Sequence, residues 1–372
     1  MAFGNIIMFD NVYSKRRVLV TGHTGFKGSW LVTWLLKLGA DVIGVSKGVP
    51  TKPAMFETLA LSERIKHIEA DICDIELIRE IITREQPDFI FHLAAQAIVS
   101  VSYANPVETL RTNVIGTMNI LEVLRSLERP CVVVLITSDK CYDNIEWLWG
   151  YRETDGLGGK DIYSGSKGAA ELVIKSYFYS FFQNNHPVRL AIGRAGNVIG
   201  GGDWAKDRIV ADCIRAWSDG GVVEIRSPDA TRPWQHVLEP LSGYLALGQS
   251  LVKQSTMHGE AFNFGPRAEQ NRTVLELLQD LGERWGFSAS DESCHITDRI
   301  PFHEAGLLKL NCDKALFYLK WEPTLNYRET VGLVGDWYRL FYRDEVDMYL
   351  LTTEQITAYE HLGVEQSRVW AL

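Results

Sequence analysis

Tyr163 and Lys167 stand four residues apart in the run Tyr163-Ser164-Gly165-Ser166-Lys167. On a helix that spacing puts both side chains on one face. A phenol with a pKa near 10 is a poor base at neutral pH. A cation one turn away stabilises the phenolate and makes it a better one. Twenty-five residues upstream, Ser138 ends the β-branched run CVVVLIT. A hydroxyl at a strand end can hydrogen-bond a substrate alcohol and aim it at Tyr163. Asp139 and Lys140 follow directly, either as an acid and a cation at the same site or as an ion pair opening a turn.

A second group of residues binds anions. The chain reads Thr21-Gly22-His23-Thr24-Gly25-Phe26-Lys27-Gly28 after the apolar run 17–21 and before a helical pattern at 29–38. Glycines at these intervals allow a tight turn and a close backbone approach to a pyrophosphate. The helix beyond points its free N–H groups at that anion. The strand before and the helix after give the motif its context as a dinucleotide site. The end of the second strand reads Val45-Ser46-Lys47. Ser46 suits a ribose hydroxyl, whereas Lys47 and Lys27 would suit a 2′-phosphate, so NAD and NADP both stay open on these residues alone. Asp71, followed by Ile72, either faces the adenine base or caps the next helix. His23 reads more as packing within the loop than as a catalyst.

These residues need a parallel sheet to bring them together. Short apolar runs at 17–21, 42–45, 65–70, 89–93, 131–137 and 188–192 alternate with helical patterns at 29–38, 75–84, 107–127 and 163–182. That rhythm predicts an α/β fold, a Rossmann-type doubly wound parallel sheet covered on both faces. After Gly200 loops and aromatics increase, which suggests a smaller mixed α/β substrate domain. The expected division is 1–200 for the dinucleotide-binding domain, with a returning segment near 233–260, and mainly 201–372 for the other. Helices are expected at 274–285, opened by the capping box Thr273-x-x-Glu276, and at 327–341. The tail after Tyr349 has no clear pattern.

The 372 residues carry a net charge of −9, so a basic footprint for nucleic acid is missing. No apolar run reaches the length of a membrane span, and the first residues lack the order of a signal peptide. Six scattered cysteines with no C-x-x-C pair argue against a disulfide framework and favour a reducing, cytoplasmic setting. Nine histidines without ligand spacing give no metal site. A nucleoside diphosphate would need fixed positive charge, for which Arg194, Arg208 and Arg232 are candidates. Trp204 and Trp234 are able to stack on a base or to fill a core.

The glycine turn, His92-Leu93-Ala94-Ala95-Gln96, Asn113-Val114-Ile115-Gly116-Thr117, the strand-end serine and Y-x-x-x-K together resemble the extended short-chain dehydrogenase/reductases. The segments ITSDKCYDN, GRAGNVIGGGDWAKDRIV and RPWQHVLEPLSGY resemble the nucleotide-sugar 4,6-dehydratases, and Lys140 matches their CDP-glucose branch. The resemblance implies a lyase that takes CDP-D-glucose to its 4-keto-6-deoxy sugar with recycled NAD, in deoxysugar biosynthesis for surface polysaccharide such as O-antigen. Tyr163 is then the base for the 4-hydroxyl and Asp139 the acid for the leaving 6-hydroxyl. Lys140 stands where dTDP-type enzymes carry Glu, as a neutral base or as a charge stabilising an enolate. Leu93, Ala94, Ala95, Gln96 and Asn113 join the cofactor site. Asn197, Asp203, Arg232, His236 and His303 join the substrate site. A homo-oligomer is implied, with helices 107–127 and 163–182 pairing across a two-fold axis. A 4-epimerase would share Ser138 and Tyr163 but would not need the Asp139–Lys140 pair. A silent dinucleotide sensor would not need an intact Y-x-x-x-K.

Overall fold

The computed structural model describes residues 7–372, apart from 226, 268–269, 288–293, 298–306 and 345. Seven strands form one parallel sheet: β1 (Arg17–Thr21), β2 (Asp41–Ser46), β3 (Lys66–Glu69), β4 (Phe89–His92), β5 (Cys131–Ile136), β6 (Val188–Ala195) and β7 (Ala261–Phe264). Their order is β7-β6-β5-β4-β1-β2-β3. The connections reverse direction between β1 and β4, which opens a crevice at the carboxyl ends of these strands. The glycine turn leaves β1 there, and Leu93–Gln96 leaves β4.

Alternation along each strand divides the core into two layers. Val18 and Val20 of β1 and Val132 and Val134 of β5 face one cluster, with helices Phe26–Lys37 and Leu238–Lys253. Leu19, Val133 and Leu135 face the other, under helices Ile75–Glu85 and Ile162–Tyr177. Because both faces are covered, the strands read as unbroken apolar runs. The expected Rossmann-type sheet is therefore present, and β7 adds a strand from beyond residue 260.

Two expected helices are interrupted. The pattern at 107–127 is a short helix Pro106–Leu110, a π-helical turn Arg111–Gly116 and a helix Thr117–Arg125. The turn holds Asn113, whose Oδ1 accepts from Gln96 N at 2.8 Å and whose Nδ2 donates to the Gln96 carbonyl and to Ser166 Oγ. Such turns recur where a helix gives up regularity to place one side chain. The pattern at 163–182 likewise ends in a π-helical turn, Phe178–Phe182.

The unpatterned tail is a helix, Met348–Glu365. Its buried face is partly polar, which is why periodicity missed it. Glu360 accepts from Trp34 Nε1 at 2.8 Å, and the Tyr359 hydroxyl donates to the Glu239 carboxylate at 2.9 Å. Trp370 stacks on Tyr359. Among the described residues, no helix is long and apolar enough to cross a membrane.

Candidate active site

The glycine turn is built by close approach. Gly22 has φ +74°, and a Cβ there would lie 2.7 Å from Ala94 N. A Cβ on Gly28 would lie 2.2 Å from the Gly22 carbonyl oxygen. Only glycine allows the turn to fold this tightly against the start of the helix. Below it runs a chain of hydrogen bonds whose direction is fixed. Thr117 Oγ1 donates to the Asn113 carbonyl, so it accepts from His92 Nε2–H. His92 Nδ1 then accepts from Thr21 Oγ1, which itself accepts from Ala94 N. Burial pushes His92 down to about 3, so this chain stays neutral.

Several expected cofactor contacts are side chains already engaged. His23 bonds Ser46 Oγ at 3.0 Å and His67 at 2.8 Å, and burial, then His67, pushes its pKa down to about 4. The ring fills the space over Gly44, which leaves the His23 backbone rather than its ring for an anion. Ser46 Oγ also accepts from Thr24 N at 3.4 Å, so its hydroxyl braces the loop. Gln96 donates to Thr109 Oγ1 and accepts from Ile98 N, which turns its amide into its own loop. Lys47 is paired with Asp71 at 3.0 Å and Glu108 at 3.1 Å. Gly25, Phe26 and Lys27 continue the turn into the Phe26–Lys37 helix, and Ile72 packs against Gly116.

The catalytic candidates converge at the end of β5. Asp161 caps the helix Ile162–Tyr177, accepting from Ser164 N at 2.9 Å and from Ser164 Oγ at 2.6 Å. That helix start presents Tyr163, buried and close enough to Ser138 for the serine hydroxyl to lower its pKa. Ser138 Oγ donates to Asp139 Oδ1 at 2.9 Å and accepts from Lys140 N at 3.2 Å. The Lys167 ammonium lies 6.0 Å from the centre of the Tyr163 ring.

Electrostatics separates the roles of these groups. Burial raises the Asp139 pKa, against the pull of Lys140, Ser138 and Lys27. A carboxyl whose pKa is raised by burial keeps its proton more tightly than an exposed one, which suits it to act as an acid. Burial pushes Tyr163 up to about 12, opposed by Arg208 and by the neighbouring Ser138 hydroxyl. Burial lowers Lys167 to about 8, opposed by Cys141 and Glu171. Lys27 falls to about 7, through burial and then the neighbouring cations Arg208 and Lys167. Lys27 is thus coupled electrostatically to Lys167 and Asp139 as well as standing in the glycine turn.

Three expected substrate contacts are corrected. Arg194 is 3% exposed and forms a buried pair with Glu171, with Nε to Oε1 at 2.7 Å and Nη2 to Oε2 at 2.5 Å. Burial would strip its proton, but the Glu171 carboxylate outweighs that and holds the guanidinium charged. A guanidinium committed to a carboxylate in this way has no fork left for a phosphate. Trp204 is a core aromatic, packed against Trp337, Tyr338 and Phe341. His236 is fully buried, edge-on to Trp30, and its Nδ1 accepts from Leu238 N. Burial pushes it down to about 3, so it offers neither charge nor contact to a substrate.

Other expected positions do border the crevice. Asp203 and Arg208 form an ion pair at 3.5 Å, and Arg208 also faces Tyr163 and Lys27. Asn197 is half-buried next to Gly196, where a Cβ would lie 3.1 Å from Asp139 Oδ2. Gly196 also lines a cavity of about 230 Å³ with Leu148, Trp149, Pro233, Gln235, Arg267, Asn271 and Lys309. Gly196, Pro233 and Gln235 lie in the segments GRAGNVIGGGDWAKDRIV and RPWQHVLEPLSGY already read from the sequence, whereas Leu148, Trp149, Arg267, Asn271 and Lys309 carry no motif, and their assembly depends on the fold. Arg232 is buried beside this cavity's Pro233, its Nη1 donating to the Thr231 carbonyl. Trp234 is buried, donating to the Arg272 carbonyl. His303 lies outside the described residues. Among the described residues, no group of three or more His, Cys, Asp or Glu is placed to hold a metal ion.

The model of the GDP-mannose 4,6 dehydratase family matches residues 19–333. The CDP-glucose 4,6-dehydratase of Salmonella typhimurium is 45% identical over 353 residues, covering 94% of this chain and 97% of that protein. The chain belongs to the nucleotide-sugar 4,6-dehydratases. Solved structures extend the likeness in fold. DesIV, a dTDP-glucose 4,6-dehydratase from Streptomyces venezuelae with NAD and TYD bound, superposes with a TM-score of 0.75 at 23% identity, covering 87% of this chain and 97% of that one. A UDP-glucose 4-epimerase from Thermotoga maritima gives 0.74 at 22%, covering 87% and 99%. Dehydratases and epimerases share this fold, so the fold alone does not separate the two chemistries.

Proposed function

We propose that the chain dehydrates CDP-D-glucose to CDP-4-keto-6-deoxy-D-glucose with tightly held NAD. One observation carries the reaction class: Ser138, a buried Asp139 that favours its proton, and Tyr163 meet at one strand end. The 45% identity to a CDP-glucose 4,6-dehydratase supports cytosine as the base.

The residues fit a dinucleotide. The glycines at 22 and 28 let the turn fold tightly against Ala94 and against itself, and the Phe26–Lys37 helix begins at it, the arrangement that offers backbone N–H groups to a pyrophosphate. Lys47, neutralised by Asp71 and Glu108, is a poor partner for a 2′-phosphate, which supports NAD over NADP. Bound NAD supplies a hydride acceptor that later returns the hydride.

Tyr163 takes the proton of the sugar 4-hydroxyl as hydride leaves C4. Ser138 holds that hydroxyl and Lys167 offsets the phenolate. The 4-keto group acidifies C5–H. The C5 proton is lost, the C6–O bond breaks, and Asp139 gives its proton to the departing oxygen, which leaves as water. Hydride is then returned to C6 while C5 takes back a proton. Lys140 stands beside this elimination as base or as charge. A 4-epimerase would have no use for a general acid at Asp139.

The finer organisation is part of the same proposal. Residues 1–200 with the return at 233–260 hold the dinucleotide, and most of 201–372 holds the nucleotide sugar. The helix Leu238–Lys253 and β7 support that return. Exposed Val107, Leu172 and Tyr179 on the two helical segments support a homo-oligomer. The six cysteines are unpaired, which supports a cytoplasmic, reducing location. The reaction's product is a deoxysugar precursor of the kind used in surface polysaccharide.

Incubation with CDP-, UDP-, dTDP- and GDP-glucose, with and without added NAD+, tests the reading by mass. Loss of one water from CDP-glucose is expected, strongest among the four. Inversion at C4 without change of mass would make the chain an epimerase, and no reaction would leave it a dinucleotide binder.

A further inference from the structure

We propose that Glu171 is the positioning residue that registers the strand end carrying Ser138 and Asp139 against the helix carrying Tyr163 and Lys167. Glu171 lies two turns beyond Tyr163 and one turn beyond Lys167 on the helix Ile162–Tyr177. Its side chain is 2% exposed. Thr137, the residue before Ser138, donates its hydroxyl to Glu171 Oε1 at 2.5 Å. Arg194, from the end of β6, grips both carboxylate oxygens. Arg194 in turn donates to the Tyr142 hydroxyl at 2.7 Å and to the Glu153 carbonyl at 3.2 Å. Tyr142 donates to Asn263 Oδ1 of β7 at 2.8 Å. One carboxylate therefore ties β5, β6 and the catalytic helix together directly beneath the reacting groups, and the chain of bonds continues to β7.

The clamp is placed where small displacements matter most. Ser138 and Tyr163 face each other across the joint that Glu171 closes. A shift of about 1 Å between catalytic groups can cost on the order of 100-fold in rate. The same carboxylate is the negative charge one turn from Lys167. The groups facing Lys167 are Tyr163 and Glu171 on its own helix, Cys141 on the turn after β5, His92 on β4 and Lys27 on the glycine turn. His92 is neutral and Lys27 is a like charge, so Glu171 is the carboxylate that favours the charged ammonium. Removing its charge lowers the pH at which Lys167 loses its proton.

This inference rests on the dehydratase reading, and the test separates the two. Glu171→Gln keeps the shape and can still accept from Thr137, but presents an N–H to the Arg194 fork. Its kcat for CDP-glucose should fall about 100-fold, with KM changed far less. Its alkaline limb should move to lower pH, and Glu171→Asp should recover part of the loss. Thr137→Val leaves the buried ion pair whole and guards against a folding failure. It should lower kcat about tenfold with an unchanged melting temperature. Amide hydrogen exchange across 138–142, which needs no substrate, should quicken in both variants. Wild-type kcat, pH profile and exchange in folded Thr137→Val or Glu171→Gln protein would overturn the positioning role. A wild-type protein inert toward CDP-glucose but with quickened exchange in the variants would sink the substrate reading alone.

Discussion

The Lys167 ammonium stands 6.0 Å from the centre of the Tyr163 ring, on the same face of one helix. Both groups are buried, and burial moves them in opposite directions: Tyr163 up to about 12, Lys167 down to about 8. A phenol at such a value is a weak base without cations around it. Tyr163→Phe removes the proton acceptor and leaves the packing almost intact. Turnover of CDP-glucose should fall by at least about 100-fold, the low end of what a positioned base contributes. Steady-state product formation checks this, with bound NAD measured to show that the cofactor site is unharmed.

In the proposed mechanism Asp139 acts only after oxidation at C4. Asp139→Asn keeps the size of the side chain and removes the transferable proton. The variant should still oxidise the sugar and should stall before water leaves. Reduced nicotinamide should then accumulate in a single turnover, visible by its absorbance, while product falls by about 100-fold. An unchanged rate of water loss would remove Asp139 from the acid role.

Arg208 lowers the Tyr163 pKa and lowers that of Lys27. Arg208→Ala should therefore raise the pH at which Tyr163 becomes a base. The acidic limb of the kcat/KM profile should shift upward, with a loss of rate at neutral pH that alkaline pH partly restores. A uniform loss at every pH would place Arg208 in substrate binding alone.

Glu239 offers a test on stability. Its carboxylate accepts from Thr324 N, Leu325 N and the Tyr359 hydroxyl. Burial raises its pKa from 4.5 to about 7, against those hydrogen bonds. A carboxyl raised on folding holds its proton more tightly in the native state. Its contribution is full below about 4.5 and is lost as pH rises through about 7. Thermal unfolding of Glu239→Gln compared with wild type should therefore show a difference that depends on pH across this window. A constant difference would mean that Glu239 ionises normally.

The fold was legible where physics is local. β1, the glycine turn and the apolar run of β5 are each specified by neighbours in sequence. Tyr163, Lys167, Ser138 and Asp139 could be brought together from helix spacing and a strand end. Arg194 was misread because its charge is visible in sequence while its partner, Glu171, comes from a different element. Trp204 and His236 were misread for the related reason that burial is a property of the whole fold. The helix Met348–Glu365 escaped notice because Thr352, Gln355 and Glu360 are polar yet buried, which erases the usual apolar stripe. Asn113 was placed by resemblance, but the π-helical turn that aims it has no signature in the run RTNVIG.

Hydride migration within one sugar is the central claim, and deuterium follows it directly. CDP-glucose carrying deuterium at C4 should yield 4-keto-6-deoxy product with the label at C6, located by NMR, without added NAD+ in stoichiometric amount. Product lacking deuterium at C6, or sugar recovered with the label still at C4 and its configuration inverted, would contradict the account.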